Sequence, residues 1–246
     1  MNNIFSLQGL NIAIIGGSRG IGLHLSNGLS DLSANVLVAS RSNRPQELHR
    51  DIKYIKTDIT NIDQIQELKE SVVSTLGNLN AIINVAGISL ASDSGESENL
   101  RFYKTVETNL IAVYNVTNTL LPILTGKNAS IVNITSINST LGFPNNPGYV
   151  ASKSALSGLT RAMAVDFSKY QIRANSIAPG YFHTRMTSAS YSDSVMQEER
   201  AKKTVLGRWG ELSELVGPTA FLISPAATYI TGVEIPVDGG WLIKGL

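Results

Sequence analysis

The 246-residue chain has no cysteine. That absence excludes disulfides and thiolate metal sites, and it suits a reducing compartment such as the cytoplasm. Neither sign of charge is in excess: 20 Lys and Arg stand against 19 Asp and Glu, for a net charge of +1. Without a basic stripe or interleaved aromatic cluster, nothing favours nucleic acid or an anionic membrane as partner. Only three histidines occur, His24, His49 and His183, and their spacing matches no metal-ligand pattern, so no metal is expected. No apolar run is long enough to span a bilayer. The opening "MNNIFSLQGL" lacks the basic start and apolar run of a secretory signal. The partners expected are therefore small molecules and further copies of the chain.

What is present describes one globular domain over residues 1 to 246. A hydrophobic fraction of 43% and 21 glycines imply a large core with many close backbone approaches. Strand-like runs recur at 10 to 15, 35 to 40, 53 to 56, 80 to 85, 130 to 135, 173 to 178 and 234 to 238. Helix-period segments fall between them, at 20 to 32, 62 to 76, 102 to 124, 148 to 169 and 212 to 223. Alternation of this kind predicts an α/β protein with a doubly wound parallel sheet of about seven strands and helices on both faces. In open sheets of that type ligands bind beyond the carboxyl ends of the strands.

Residues able to do chemistry follow those strands. The first strand runs into "GGSRGIG", where Gly16, Gly20 and Gly22 would let the backbone approach a pyrophosphate at the positive end of the next helix. The second strand ends in Ser40 and Arg41, where an NAD site would usually carry an acid for the ribose 2′-hydroxyl. With Arg19 they could grip a 2′-phosphate, which favours NADP(H); the alternative is two solvated arginines. In "GYVASKSAL" Tyr149 and Lys153 share a helix face. An ammonium beside a phenol would lower its pKa toward the range useful for proton transfer, although the same spacing also occurs as an aromatic stem beside a solvated amine.

Taken together, "GGSRGIG", "NVAG" (84 to 87), Asn109, Ser136, Tyr149, Lys153 and "PGYFHT" resemble, in order and spacing, the short-chain dehydrogenase/reductase family over essentially the whole chain. The resemblance implies a single-domain Rossmann fold and an NADP(H)-dependent oxidoreductase. Tyr149 would be the general acid/base, Ser136 would polarise the substrate oxygen, Lys153 would acidify Tyr149 and hold the nicotinamide ribose, and Asn109 would anchor a proton path. It also implies cofactor contacts from Gly16, Ser18, Arg19, Gly20 and Ile21 at the pyrophosphate and from Asp58 and Ile59 at adenine. Asn84, Ala86 and Gly87 would lie on the ribose side, with Pro179, Gly180 and Thr184 at the nicotinamide. Asp58 could instead cap the helix that follows, and Thr184 could be a turn hydroxyl. Relatives assemble as tetramers through the helices at 102 to 124 and 148 to 169 and the carboxyl terminus, so a homotetramer is expected.

Two positions depart from the family pattern: Ile15 replaces a threonine, and Val85 replaces the second asparagine of Asn-Asn-Ala-Gly. Both lose polar bracing near the cofactor. The segment from Arg41 to Asp58 is short, with room for about two helical turns. Substrate choice is expected in the loop at about 181 to 210, with Ser89, Asn138 and Phe143 at the mouth and His183 or Arg185 as a carboxylate anchor. "IAPGYFHTRMT", "GRWGE" and "FSLQGLNI" resemble gluconate 5-dehydrogenases, which implies a polyol or sugar acid. Related pieces occur in 3-oxoacyl-thioester reductases, so that substrate class stays open. A non-catalytic dinucleotide-binding scaffold or sensor is the alternative from another class.

Overall fold

The computed structural model describes residues 3–90, 95–126 and 129–244. Seven strands form one parallel sheet: β1 (Asn11–Ile15), β2 (Asn35–Ser40), β3 (Lys53–Lys56), β4 (Ala81–Asn84), β5 (Ser130–Ile134), β6 (Arg173–Pro179) and β7 (Glu234–Val237), in the order β3-β2-β1-β4-β5-β6-β7. The helices are α1 (Gly20–Asp31), α2 (Ile62–Leu76), α3 (Glu98–Val106), α4 (Ala112–Leu120), α5 (Pro147–Asp166), α6 (Ser188–Ser192), α7 (Ser194–Lys202) and α8 (Val216–Ile223).

Both faces of the sheet are covered, and the strand period of two shows how. Ile12 and Ile14 point to a core shared with Leu25 and Leu29 of α1 and Leu222 of α8. Ala13 and Ile15 point the other way, to Leu68 and Val72 of α2 and Val116 and Leu120 of α4. Strands buried on both sides must be apolar almost throughout, which is why the runs read from sequence are so uniform. The chain leaves β1 in one direction toward β2 and returns in the other to β4, so the connections diverge above these two strands and open a crevice.

Close packing closes the base of that crevice. Gly16 takes φ +96°, and a Cβ on Gly22 would sit 2.1 Å from the Gly16 carbonyl oxygen. Only glycine lets α1 start this near the turn.

Several boundaries differ from the sequence reading. Between β2 and β3 there is no helix. Instead Arg44 donates to the carbonyls of Ile52 (2.6 Å) and His49 (2.6 Å), folding turns that bury Leu48 and Ile52. One guanidinium replaces the helical hydrogen bonds that a segment this short has no room to make. The segment expected at 102 to 124 starts at Glu98, is interrupted by a π turn at Glu107–Ile111, and ends in a 3₁₀ turn at Leu121–Ile123. That at 212 to 223 opens as a 3₁₀ turn before α8. The expected substrate loop contains two short helices, α6 and α7.

Candidate active site

The crevice is a cleft of about 540 Å³. At one end lies the glycine turn: Gly16, Ser18, Arg19, Gly20 and Ile21 all line it. The N-cap of α1 is Arg19, whose side chain makes no cap bond, so no side chain competes for the free N–H groups of the first turn. Beside it Ser18 Oγ lies 2.8 Å from Ser40 Oγ and 3.5 Å from Ser42 Oγ, with exposed Arg19 and Arg41 flanking the hydroxyls. Ser42 went unnoticed in the sequence because nothing in one strand end shows that three hydroxyls meet.

Asp58, Ile59, Ala86, Gly87, Pro179, Gly180 and Thr184 also line the cleft. Asp58 accepts from Thr60 N (3.0 Å) and Thr60 Oγ1 (2.8 Å), while Asn61 caps α2. Asn84 does not line the cleft. Its buried amide donates to Thr117 Oγ1 (3.0 Å) and Asn133 Oδ1 (2.8 Å), tying β4 to α4 and β5. At the two departures from the family pattern the backbone supplies polar bracing: the Ile15 carbonyl accepts from Val85 N (2.8 Å) and Ala86 N (2.7 Å).

At the other end of the cleft stand Ser136, Tyr149 and Lys153. Ser136 follows β5 and accepts from Asn138 N at 3.1 Å, and its hydroxyl also reaches the Tyr149 phenol. Pro147 opens α5, which places Tyr149 and Lys153 one turn apart on the inner face. Lys153 Nζ donates to the Ile134 carbonyl (2.7 Å) and lies 5.8 Å from the Tyr149 ring centroid.

Burial lowers the Lys153 pKa to about 8, with Glu234 opposing. Burial also raises that of Tyr149, against the hydrogen bond from Ser136 and together with Tyr181. In the chain alone the phenol therefore stands above its ordinary value, the direction opposite to the one expected from its place beside Lys153. Loss of solvent is the largest cause of that shift, and the Lys153 ammonium is committed to the Ile134 carbonyl.

Asn109 lies on the π turn, adjoining the cleft without lining it. Its Oδ1 accepts from Ile88 N (2.8 Å) and its Nδ2 donates to Ile88 O (2.9 Å) and Ser152 Oγ (3.1 Å). The π turn rotates this residue inward, a shift that helical periodicity does not reveal. At the mouth, Asn146 donates to Ser89 Oγ (2.6 Å), His183 stacks on Tyr191 with centroids 4.0 Å apart, and exposed Arg185 lines the cleft. His24 meets the Gly20 carbonyl and His49 faces Asp31, so the three histidines remain apart.

Known proteins share this architecture. The model of the family described as Enoyl-(Acyl carrier protein) reductase matches residues 15–242. The chain is 33% identical to the 5-keto-D-gluconate 5-reductase of Escherichia coli K12 over 99% of both chains. It is 30% identical to a 3-oxoacyl-[acyl-carrier-protein] reductase of Staphylococcus epidermidis, over 92% of this chain and 96% of the other. A gluconate 5-dehydrogenase from Burkholderia cenocepacia, solved in complex with NADP and tartrate, superimposes with a TM-score of 0.89 at 29% identity over 97% of each chain. With its seven-stranded parallel sheet and its serine, tyrosine and lysine at one cleft, the chain belongs to the short-chain dehydrogenase/reductase family of oxidoreductases.

Proposed function

We propose that the protein interconverts a secondary alcohol and a ketone on a small polyol or sugar acid, using NADP(H). The observation that carries this reading is the single cleft running from the Ser18, Ser40, Arg41 cluster to Ser136, Tyr149 and Lys153. Glycines at the turn, uncapped first-turn donors on α1 and two arginines beside three hydroxyls suit a pyrophosphate and a 2′-phosphate. A nicotinamide dinucleotide, when bound, supplies or accepts the hydride.

The chain's own residues handle the proton. Tyr149 Oη gives it to the ketone oxygen in reduction and takes it from the alcohol in oxidation, while Ser136 holds that oxygen by hydrogen bonding. Lys153 sits where its ammonium steadies a developing phenolate, and it is the proposed anchor for the nicotinamide ribose. Asn109, by clamping both polar groups of Ile88, fixes the loop after β4 beside Lys153; a Cβ on Gly87 would stand 3.4 Å from Asn109 Oδ1 and 3.5 Å from Lys153 Nζ. The Escherichia coli and Burkholderia relatives support a sugar acid as substrate, and the Staphylococcus relative supports a 3-oxoacyl thioester as the second reading.

A steady-state screen separates the two. Reduction of 5-keto-D-gluconate with NADPH is expected at a kcat/KM well above that for acetoacetyl thioesters and for NADH as donor. Preference for the thioester would install the second reading, preference for NADH would remove the cofactor assignment, and no turnover of any carbonyl would leave a dinucleotide-binding scaffold. The proposed assembly is a homotetramer, supported by exposed Leu100 and Tyr103 on α3, Ile111 on the π turn, Tyr114 on α4 and Val165 on α5.

A further inference from the structure

Arg200, on the last turn of α7, is held between two aromatic rings. Its guanidinium carbon lies 4.9 Å from the Tyr181 ring centroid and 6.0 Å from that of Phe143. Tyr181 in turn packs on Trp209 (5.2 Å) and Trp241 (4.8 Å), so the platform beneath the guanidinium is rigid. Among the described residues, no carboxylate pairs with Arg200 and no acceptor takes its side-chain N–H groups. Its neighbour Glu198 is bound to Lys202 at 2.6 Å. Other arginines are committed elsewhere: Arg208 to Glu214 (2.7 Å), Arg44 and Arg173 to backbone carbonyls. A half-buried guanidinium with its forked donors unused is set up to receive a carboxylate.

Arg200 does not itself line the cleft; the segments that hold it connect it to the reaction site. Phe143 precedes Tyr149 by six residues, on the segment leading into α5. Tyr181 directly follows Gly180, which lines the cleft, and lies within electrostatic reach of the Tyr149 phenol. Arg185 lines the cleft but is exposed to solvent, and His183 is stacked on Tyr191, whereas Arg200 is half-buried on its aromatic platform.

We propose that Arg200 is the substrate's carboxylate anchor, selecting keto acids whose carbonyl lies at Tyr149 when their carboxylate reaches the guanidinium held between Phe143 and Tyr181. This rests on the sugar-acid reading above and names the residue that enforces it.

The test uses Arg200→Gln and Arg200→Lys with 5-keto-D-gluconate and its methyl ester as substrates. Arg200→Gln should raise KM for the acid at least about tenfold, the size expected for one charge-assisted bond, with kcat and the ester's KM nearly unchanged. Arg200→Lys should fall between, because a point charge keeps the attraction but not the fork. Equal losses on acid and ester, or no loss on either, would overturn the anchor. Should the wild type turn over no keto acid, the sugar-acid reading fails by itself, and the anchor is then judged by calorimetric binding of tartrate to the NADPH-loaded protein. Tartrate binding weakened at least about tenfold in Arg200→Gln supports the anchor; equal binding, or none to the wild type, removes it.

Discussion

Lys153 and Tyr149 give two buried titrations of opposite sign. The folded pKa of Lys153 is depressed to about 8 from its ordinary 10.5, so between these values the unfolded chain binds more protons than the folded one. Stability therefore rises with pH across that window, as the cost of burying the charged form disappears. Tyr149 is raised above its ordinary value of 10.0, so its contribution falls away only in more alkaline solution, and the range from 8 to 10 reports mainly on Lys153. Chemical unfolding at pH 7.5 and 9.5 should show the wild type gaining stability. Lys153→Met should remove most of that gain; an unchanged pH slope would mean that another group produces it. In catalysis, Tyr149→Phe keeps the ring and deletes the transferable proton. Turnover should fall by at least about 10² while NADPH binding, read by fluorescence titration, persists. Near-normal turnover would make the phenol structural.

At the scale of elements, the junction of β1 and α1 is the tightest place in the site. A Cβ on Gly22 would lie 2.1 Å from the Gly16 carbonyl oxygen and 2.9 Å from the Gly17 Cα, all of it backbone that cannot step aside cheaply. Gly22→Ala should thus cost about 1–3 kcal/mol or more in urea unfolding and weaken NADPH binding, since α1 must withdraw from the turn. Gly142→Ala, with nothing within 4 Å of the added carbon, serves as the control and should change little. Equal behaviour of the two would show that α1 tolerates displacement. The π turn at Glu107–Ile111 works differently: its wider turn between α3 and α4 brings Asn109 onto Ile88.

For the whole molecule, the distribution of apolar surface is the informative feature. Tyr103 is 71% exposed and Val165 72% exposed, on helices that pack side by side. Ile243, near the carboxyl terminus, is 82% exposed, beside a cavity of about 350 Å³ lined also by Val205 and Leu206. Large side chains left in water at both places are the surface that the proposed homotetramer would cover. Light scattering should give about four times the chain's 26.4 kDa. Tyr103→Glu with Val165→Glu should reduce that mass to a dimer or monomer. A monomeric wild type would defeat the assembly.

The sequence by itself determined the sheet, because strands buried on both faces must be written as apolar runs and the helices between them must carry one apolar stripe. It likewise determined the order Ser136, Tyr149, Lys153 and the glycine turn, since α-helical spacing and strand-to-helix junctions are local properties. Three things were decided only in tertiary structure. The direction of the Tyr149 pKa shift depends on how much water the finished fold excludes, which neighbours in sequence do not report. The placement of Asn84 in the interior depends on a partner at another point of the chain, and the turns that Arg44 holds, where a short helix had room to form, depend on its side chain reaching carbonyls five and eight residues on. The seating of Arg200 between Phe143 and Tyr181 joins residues from three segments, a meeting that no local spacing in the expected loop at about 181 to 210 reveals. Local spacing carries the chemistry that one helix or one turn can build; burial and the meeting of distant side chains exist only once the chain has folded.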